Sequence, residues 1–382
     1  MSGAWLRGWA LDCALGADED ACFAAVAAGK PPVSKLRLDN FNEPFALHYY
    51  RIDDGADLFD PARLARRLPG VVAAAVDTAG LDARARRALP IFVGSSCFSI
   101  GESEARYAAA LAHDPDAALA MPCVGFEGIA ASVRAAIGSE APSYTWNTAC
   151  TSSANALLAA QRMLAAGRFE NALVIGAELA NLTSLAGFAA LQLTADAVRP
   201  FAAARAGIVL GEGIGAVVLS ATPRGAPPLC LVGGAANCDR YSVSGANPDG
   251  NSIAAVLRTA LATTGTAAEA IRGIKAHGTG TAMNDAGEAR GLAQVFEALP
   301  PVCVLKPWIG HTLGACGVNE LALFAAALRR GVLPGAPDAG APDEALAVGP
   351  LAADAPAAPG RYLLNQFGFG GTNTVLVLEW AA

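Results

Sequence analysis

What most constrains this chain is an alternation. Short apolar runs rich in β-formers are followed by alanine-rich segments with apolar positions three and four apart, each closed by glycine. LPIFVGSS (89–96) predicts a buried strand ending in a turn, and GFEGIAASVRAAIG (125–138) a helix with a glycine stop. SYTWNTA (143–149) predicts a strand, TSSANALLAAQRMLAAG (151–167) a helix stopped by Gly167, and NALVIGAEL (171–179) a strand with β-branched residues in a continuous apolar run. Strands apolar on both faces, alternating with helices, need helices on both sides of a sheet.

The alternation carries a faint internal repeat. Ala149-Cys150 opens a helix that ends at Gly167, and Ala315-Cys316 opens another, NELALFAAALRRG, that ends at Gly331. Glycine-rich turns run into apolar strands twice, at GEGIGAVVLSA (211–221) and GFGGTNTVLVLEW (368–380). The reading is two similar α/β halves, 1–222 and 223–382, joined near TPRGAPP (222–228). The stretch 335–360, rich in Pro, Ala, Gly and Asp, reads as a surface loop.

Composition narrows the function classes. At 382 residues the chain is too long for one small core. Its hydrophobic fraction of 53% suggests a membrane protein, but much of it is alanine and no apolar run is long enough to span a bilayer. MSGAWLRGWALDCALGADED has no basic head followed by a long apolar core, so a cytoplasmic protein without a signal peptide is expected. A net charge of −7 and the lack of a lysine-rich run argue against nucleic acid as a partner. The nine cysteines are scattered, without a CxxC pair or zinc spacing, and read as reduced thiols.

One of them stands apart. Cys150, in TWNTACTSSAN, sits where a strand hands over to a helix, and a helix N-terminus favours thiolate. The alternative is one more small core residue. Two of the four histidines, His277 in AHGTGTAMNDAGE and His311 in KPWIGHTLGACG, lie in glycine- and threonine-rich settings. Neither segment is a phosphate loop. Metal binding through these histidines with Asp285 and Glu288 is disfavoured, because no short-range ligand pair exists. A cysteine with two histidines suits carbon–carbon bond formation: the thiol holds an acyl group, and the rings hydrogen-bond an oxygen on which enolate charge develops.

NTACTSSANALLAAQ, AHGTGTAMNDAGEA, KPWIGHTLGACG and NQFGFGGTNTVLVLE, in this order, resemble the β-ketoacyl-ACP synthases of the elongating Cys-His-His type. The resemblance extends to WALDCALGADEDACFAAVAAGKPP and RPFAAARAGIVLGEGIGAVVLS, so it covers nearly the whole chain. It implies a thiolase-like fold: duplicated βαβαβαββ halves in a five-layer α-β-α-β-α sandwich. It implies an acyltransferase that joins malonyl-ACP to a cysteine-bound acyl group with loss of CO2. It places Cys150 as nucleophile, His277 and His311 at the enolate oxygen, and Lys306 paired with Glu288 as their electrostatic support. Asp285, on the same helix face as Glu288, is a further structural partner. Thr279 and Thr281, with Gly370, would bind the phosphopantetheine arm, and Phe369 would gate the cysteine and lend its N–H to an oxyanion hole.

By the same resemblance no dissociable cofactor and no metal is needed, because the substrates ride on acyl carrier protein. That acidic partner calls for a local basic site, for which Arg66, Arg67 and Arg205 match. A homodimer, or a heterodimer with a related subunit, is expected; the rival reading is a chain-length-factor-like partner active only in a heterodimer. A thiolase would need a second cysteine where GFGG stands, and an initiating synthase an asparagine in place of His311. Two departures point to a specialised polyene or polyketide synthase. Ala203 and Ala206 replace acidic residues, and Trp146-Asn147 precedes the cysteine motif, where it is expected to shape the acyl pocket.

Overall fold

The computed structural model describes residues 3–381 except 30, 40, 115, 117–124 and 224–227. The expected joint at 222–228 therefore lies mostly outside the described residues, as does Cys123.

Ten strands form one continuous sheet, and its order shows the duplication. The first five neighbours, from the free edge inward, are Ser143–Trp146, Ile91–Gly94, Asn171–Glu178, Gly213–Ser220 and Ala4–Cys13. The other five, from the opposite edge inward, are Val302–Cys303, Ile271–Lys275, Gly360–Phe367, Thr372–Trp380 and Leu229–Cys238. In each set the outer pairings are parallel and the inner ones antiparallel. Among the described residues the sets pair at Ala4↔Leu231 and Trp5↔Cys230.

Two helices lie between the half-sheets: Ser152–Ala165 and Cys316–Arg329. Residues 316–328 are buried without exception, as expected of a helix that is apolar on nearly every face. Gly317 allows the crossing, since a Cβ there would collide with the Ala154 backbone. One core cluster joins Leu157, Val217, Leu321, Phe324 and Leu376 across both halves. Outside, Arg63–Ala79 and Gly128–Ile137 cover the first half-sheet, while Asn251–Thr263 and Ala282–Ala293 cover the second. The result is the five-layer α-β-α-β-α sandwich. Glycines end the inner helices as the sequence requires: Gly167 (φ 68°) closes the first, its N–H donating to Leu164 and that of Arg168 to Met163.

The stretch 335–360 is more than a surface loop. Its Ala336, Leu346 and Val348 are buried in the second outer core, and Ala355–Pro356 pairs with Val332–Leu333. Among the described residues no helix is long and apolar enough to cross a membrane.

Candidate active site

Cys150 sits in a tight turn between an edge strand and an inner helix. Ala149 adopts φ 50°, a left-handed conformation unusual for alanine. Hydrogen bonds hold it there. Thr148 N–H donates to Ser152 Oγ (2.9 Å), Ser152 Oγ to the Ala149 carbonyl (2.6 Å), and Asn155 Nδ2 to Thr148 Oγ1 (2.9 Å). Thr372, just after GFGG, donates to the Thr148 carbonyl at 3.0 Å and ties the C-terminal loop to the turn. The small polar neighbours of Cys150 thus fix its backbone.

Cys150, His277, His311, Thr279, Thr281 and Phe369 converge on one cavity of about 280 Å³. The imidazole centroids are 5.4 Å apart, with the rings nearly perpendicular (85°). Phe369 stacks on Phe188 at 5.5 Å, and its backbone N–H reaches the Cys150 sulfur. Gly370 (φ 75°) is exposed behind it, its N–H given to the Val243 carbonyl at 2.6 Å.

Burial dominates the Cys150 thiol and pushes it up to about 11; the Lys306 charge and the N–H groups of Phe369 and of Cys150 itself pull the other way. The helix start alone therefore does not make this thiol acidic. The rings are held neutral. Burial, then the Lys306 charge, depress His311 to about 3 and His277 well below its ordinary value. Leu313 N–H donates to His311 Nδ1 (3.2 Å), which leaves that ring's proton on Nε2. His277 Nδ1 meets Lys306 Nζ at 3.1 Å and the Gln366 oxygen at 3.0 Å. An ammonium only donates and a carbonyl only accepts, so the two contacts favour opposite tautomers. A hydrogen bond to a charged group contributes roughly 1.5–3 kcal/mol against about 1 for a neutral one. Lys306 therefore prevails and the proton sits on Nε2.

Asp285 and Glu288 do not pair with Lys306. Glu288 accepts from the His277 and Gly278 N–H groups, both at 2.9 Å, and Asp285 from those of Thr279 (3.1 Å), Gly280 (3.2 Å) and Phe201 (2.7 Å). Both carboxylates shape the HGTGT loop through its backbone. The partner of Lys306 is Glu320, at 2.7 Å, within the buried Cys316–Arg329 helix. Glu320 also takes Lys275 and, at 2.7 Å, Gln366 Nε2. Burial opposes its ionisation, but the two lysines outweigh burial and hold it at about 2. Sequence reasoning missed Glu320, Lys275 and Gln366. The available signal was a single charge in an otherwise uncharged helical run, CGVNELALFAAAL.

Two expected docking arginines are turned inward. Arg67 bonds Asp12 at 2.7 Å, and Arg205 bonds Asp343 at 2.6 Å and the Ala202 carbonyl at 2.9 Å. Arg66, its side chain 52% exposed beside Asp60, alone keeps a surface position. Trp146 does not border the cavity: it stacks on Phe92 at 5.8 Å, and Asn147 donates to the Ser96 carbonyl at 3.3 Å. Ala206 lines the cavity, while Ala203 N–H donates to the Ala341 carbonyl at 2.9 Å, so the backbone holds this loop.

The family models described as "Beta-ketoacyl synthase, N-terminal domain" and "Beta-ketoacyl synthase, C-terminal domain" match residues 42–224 and 229–339. The chain belongs to the β-ketoacyl synthase family. It is 34% identical over 263 residues to the chloroplastic 3-oxoacyl-[acyl-carrier-protein] synthase II of Arabidopsis thaliana, an alignment covering 63% of this chain and 48% of that protein. It is also 34% identical over 221 residues to the actinorhodin polyketide putative beta-ketoacyl synthase 1 of Streptomyces coelicolor, covering 53% and 47%. The chain thus spans about half the length of these curated relatives. Among solved structures, the ketosynthase ApeO in complex with its chain length factor ApeC from Xenorhabdus doucetiae matches with a TM-score of 0.85 at 26% identity, covering 100% and 98% of the two chains. A beta-ketoacyl synthase from Burkholderia phymatum gives 0.83 at 25%, with both chains fully covered. Three of the four motifs fall inside the matched segments; GFGG, which supplies Phe369, lies beyond them.

Proposed function

We propose that this chain is a 3-oxoacyl-ACP synthase that elongates an acyl chain by decarboxylative condensation. The observation that carries this reading is the convergence of Cys150 with two neutral imidazoles on one cavity. In the first stage the Cys150 sulfur attacks an acyl thioester on the carrier's phosphopantetheine arm. The backbone N–H groups of Cys150 and Phe369 receive the oxyanion, and the carrier thiol departs with the cysteine's proton. In the second stage malonyl-ACP enters past Thr279 and Thr281, with Gly370 in the separate GFGG loop that carries Phe369. Its carboxylate leaves as CO2, and the electron pair forms an enolate whose oxygen accepts from Nε2–H of His277 and His311. The enolate carbon then forms a bond to the acyl carbonyl carbon, the C–S bond to Cys150 breaks, and the thiolate takes a proton from solvent. The product is a 3-oxoacyl-ACP two carbons longer, reached without a dissociable cofactor.

We read residues 1–222 and 223–382 as the two halves of this enzyme, a cytoplasmic protein that receives acyl carrier protein at a surface including Arg66. The related ketosynthases solved with a chain length factor favour a second reading: this chain works in a heterodimer with a related subunit. The free edge strand Ser143–Trp146, which leads straight to the Cys150 turn, is where such a partner would add. The test is to incubate the purified chain with acyl-ACP and malonyl-ACP and follow CO2 and 3-oxoacyl-ACP. Products from the chain alone support the first reading. Products only after addition of a related subunit support the second, and none in either case overturns both.

A further inference from the structure

The Lys306–Glu320 pair is not isolated. Lys275, at the end of the Ile271–Lys275 strand, is fully buried and donates to the other oxygen of Glu320 and, at 2.8 Å, to the Asn365 carbonyl. Burial and the Lys306 charge lower the pKa of Lys275, while the ionised Glu320 carboxylate it contacts favours the ammonium form of this ion pair. Two buried lysines therefore share one carboxylate. A carboxylate held by one lysine would cancel most of that lysine's field; shared between two, it cancels less of each. Lys306 stands between this cluster and the cavity, in contact with His277.

We propose that Lys275 is a positioning residue for the Cys150 chemistry, engaging the second oxygen of Glu320 so that the charge of Lys306 acts on the cavity rather than being spent on its partner. The inference rests on the reading of Cys150 as the reacting thiol. The charged and titratable groups around Lys275 are Glu320, Lys306, Cys303 and Cys316, with Glu288, His277 and His311 beyond. Those acting on Cys150 are Lys306, Glu178 and Cys316. Removing one positive charge from this set makes an anion in the cavity harder to form, whichever of the carboxyl groups is ionised. The developing thiolate and the enolate should both feel the loss.

Lys275→Gln keeps donors for Glu320 and Asn365 while removing the charge, and Lys275→Met fills the space without either. The readout is alkylation of Cys150 by iodoacetamide, followed by peptide mass spectrometry from about pH 7 to 9. Its rate follows the thiolate fraction, and one pH unit of displacement is tenfold. In both variants the Cys150 profile should move to higher pH, with rates about threefold to tenfold lower at a given pH. The exposed Cys238 in the same sample should keep its wild-type rate. Superimposable Cys150 profiles overturn the proposal. So does an equal slowing at Cys238, or a failure of both variants to fold, because each would make Lys275 a support of the fold alone. A displaced profile in a chain that never releases CO2 from malonyl-ACP would support the inference while defeating the condensation reading.

Discussion

Cys150 and Cys316 stand at the starts of the two inner helices, each after an alanine, in the two halves of a duplicated fold. Their surroundings differ. Cys150 is 6% exposed, borders the cavity, and faces the N–H of Phe369. Cys316 is 0% exposed, and its sulfur is 3.1 Å from His311 Nδ1, the ring nitrogen turned from the proton on Nε2. Burial pushes both thiols up, Cys316 the further. A helix start alone does not make a cysteine reactive. The turn before the helix does, by deciding whether the sulfur faces a cavity or a neighbouring side chain.

Four variants test that contrast. The largest effect belongs to Cys150→Ala, which should abolish acyl-enzyme formation and condensation while leaving the thermal unfolding profile in place; normal condensation would end the assignment. Next, in a Cys150→Gln background, which mimics the acylated site, His311→Ala should slow malonyl-ACP decarboxylation by roughly a hundredfold or more, as removal of an oxyanion donor does. An unchanged rate, read as CO2 release, would remove His311 from the chemistry. Third, Glu320→Leu should cost about 3–5 kcal/mol in denaturant unfolding, because it leaves buried lysines without their carboxylate. A loss below about 1 kcal/mol, the range of an exposed ion pair, would mean that the cluster is not buried in solution. The smallest effect belongs to Cys316→Ala: acyl transfer should persist and stability fall by about 1–2 kcal/mol for the lost packing. Loss of acyl transfer in that variant would dissolve the contrast.

The histidines add a pH signature. Burial lowers the folded-state value of His311 from 6.5 to about 3, so the unfolded chain binds the proton first. This group's contribution is then fully present above about pH 6.5 and lost as pH falls toward 3. Thermal midpoints should decline over that window, and His311→Gln should flatten the decline.

Much of this was legible in the sequence, for identifiable reasons. The duplicated alternation of buried strands and glycine-stopped helices is local patterning, and the layers follow from it. Cys150, His277 and His311 lie in short motifs whose order is specific, and the fold brings them together. What the sequence hid is long-range pairing. Glu288 and Glu320 are both carboxylates downstream of a loop histidine, and nothing local says which reaches Lys306; in the fold it is Glu320, from the buried helix Cys316–Arg329. The ion pairs that turn Arg67 and Arg205 inward were hidden for the same reason, since Asp12 and Asp343 are distant in sequence. Trp146 reads as a pocket residue because it is near Cys150, but strand alternation turns its ring toward Phe92.

Which cysteine carries the acyl group is decided by intact-protein and peptide mass spectrometry after incubation with an acyl-ACP, quenched before malonyl-ACP is added. One acyl mass is expected on the peptide containing Cys150, with its removal on addition of malonyl-ACP, and none on the peptide containing Cys316. An acyl group on Cys316, or condensation proceeding while Cys150 stays unmodified, would contradict the assignment.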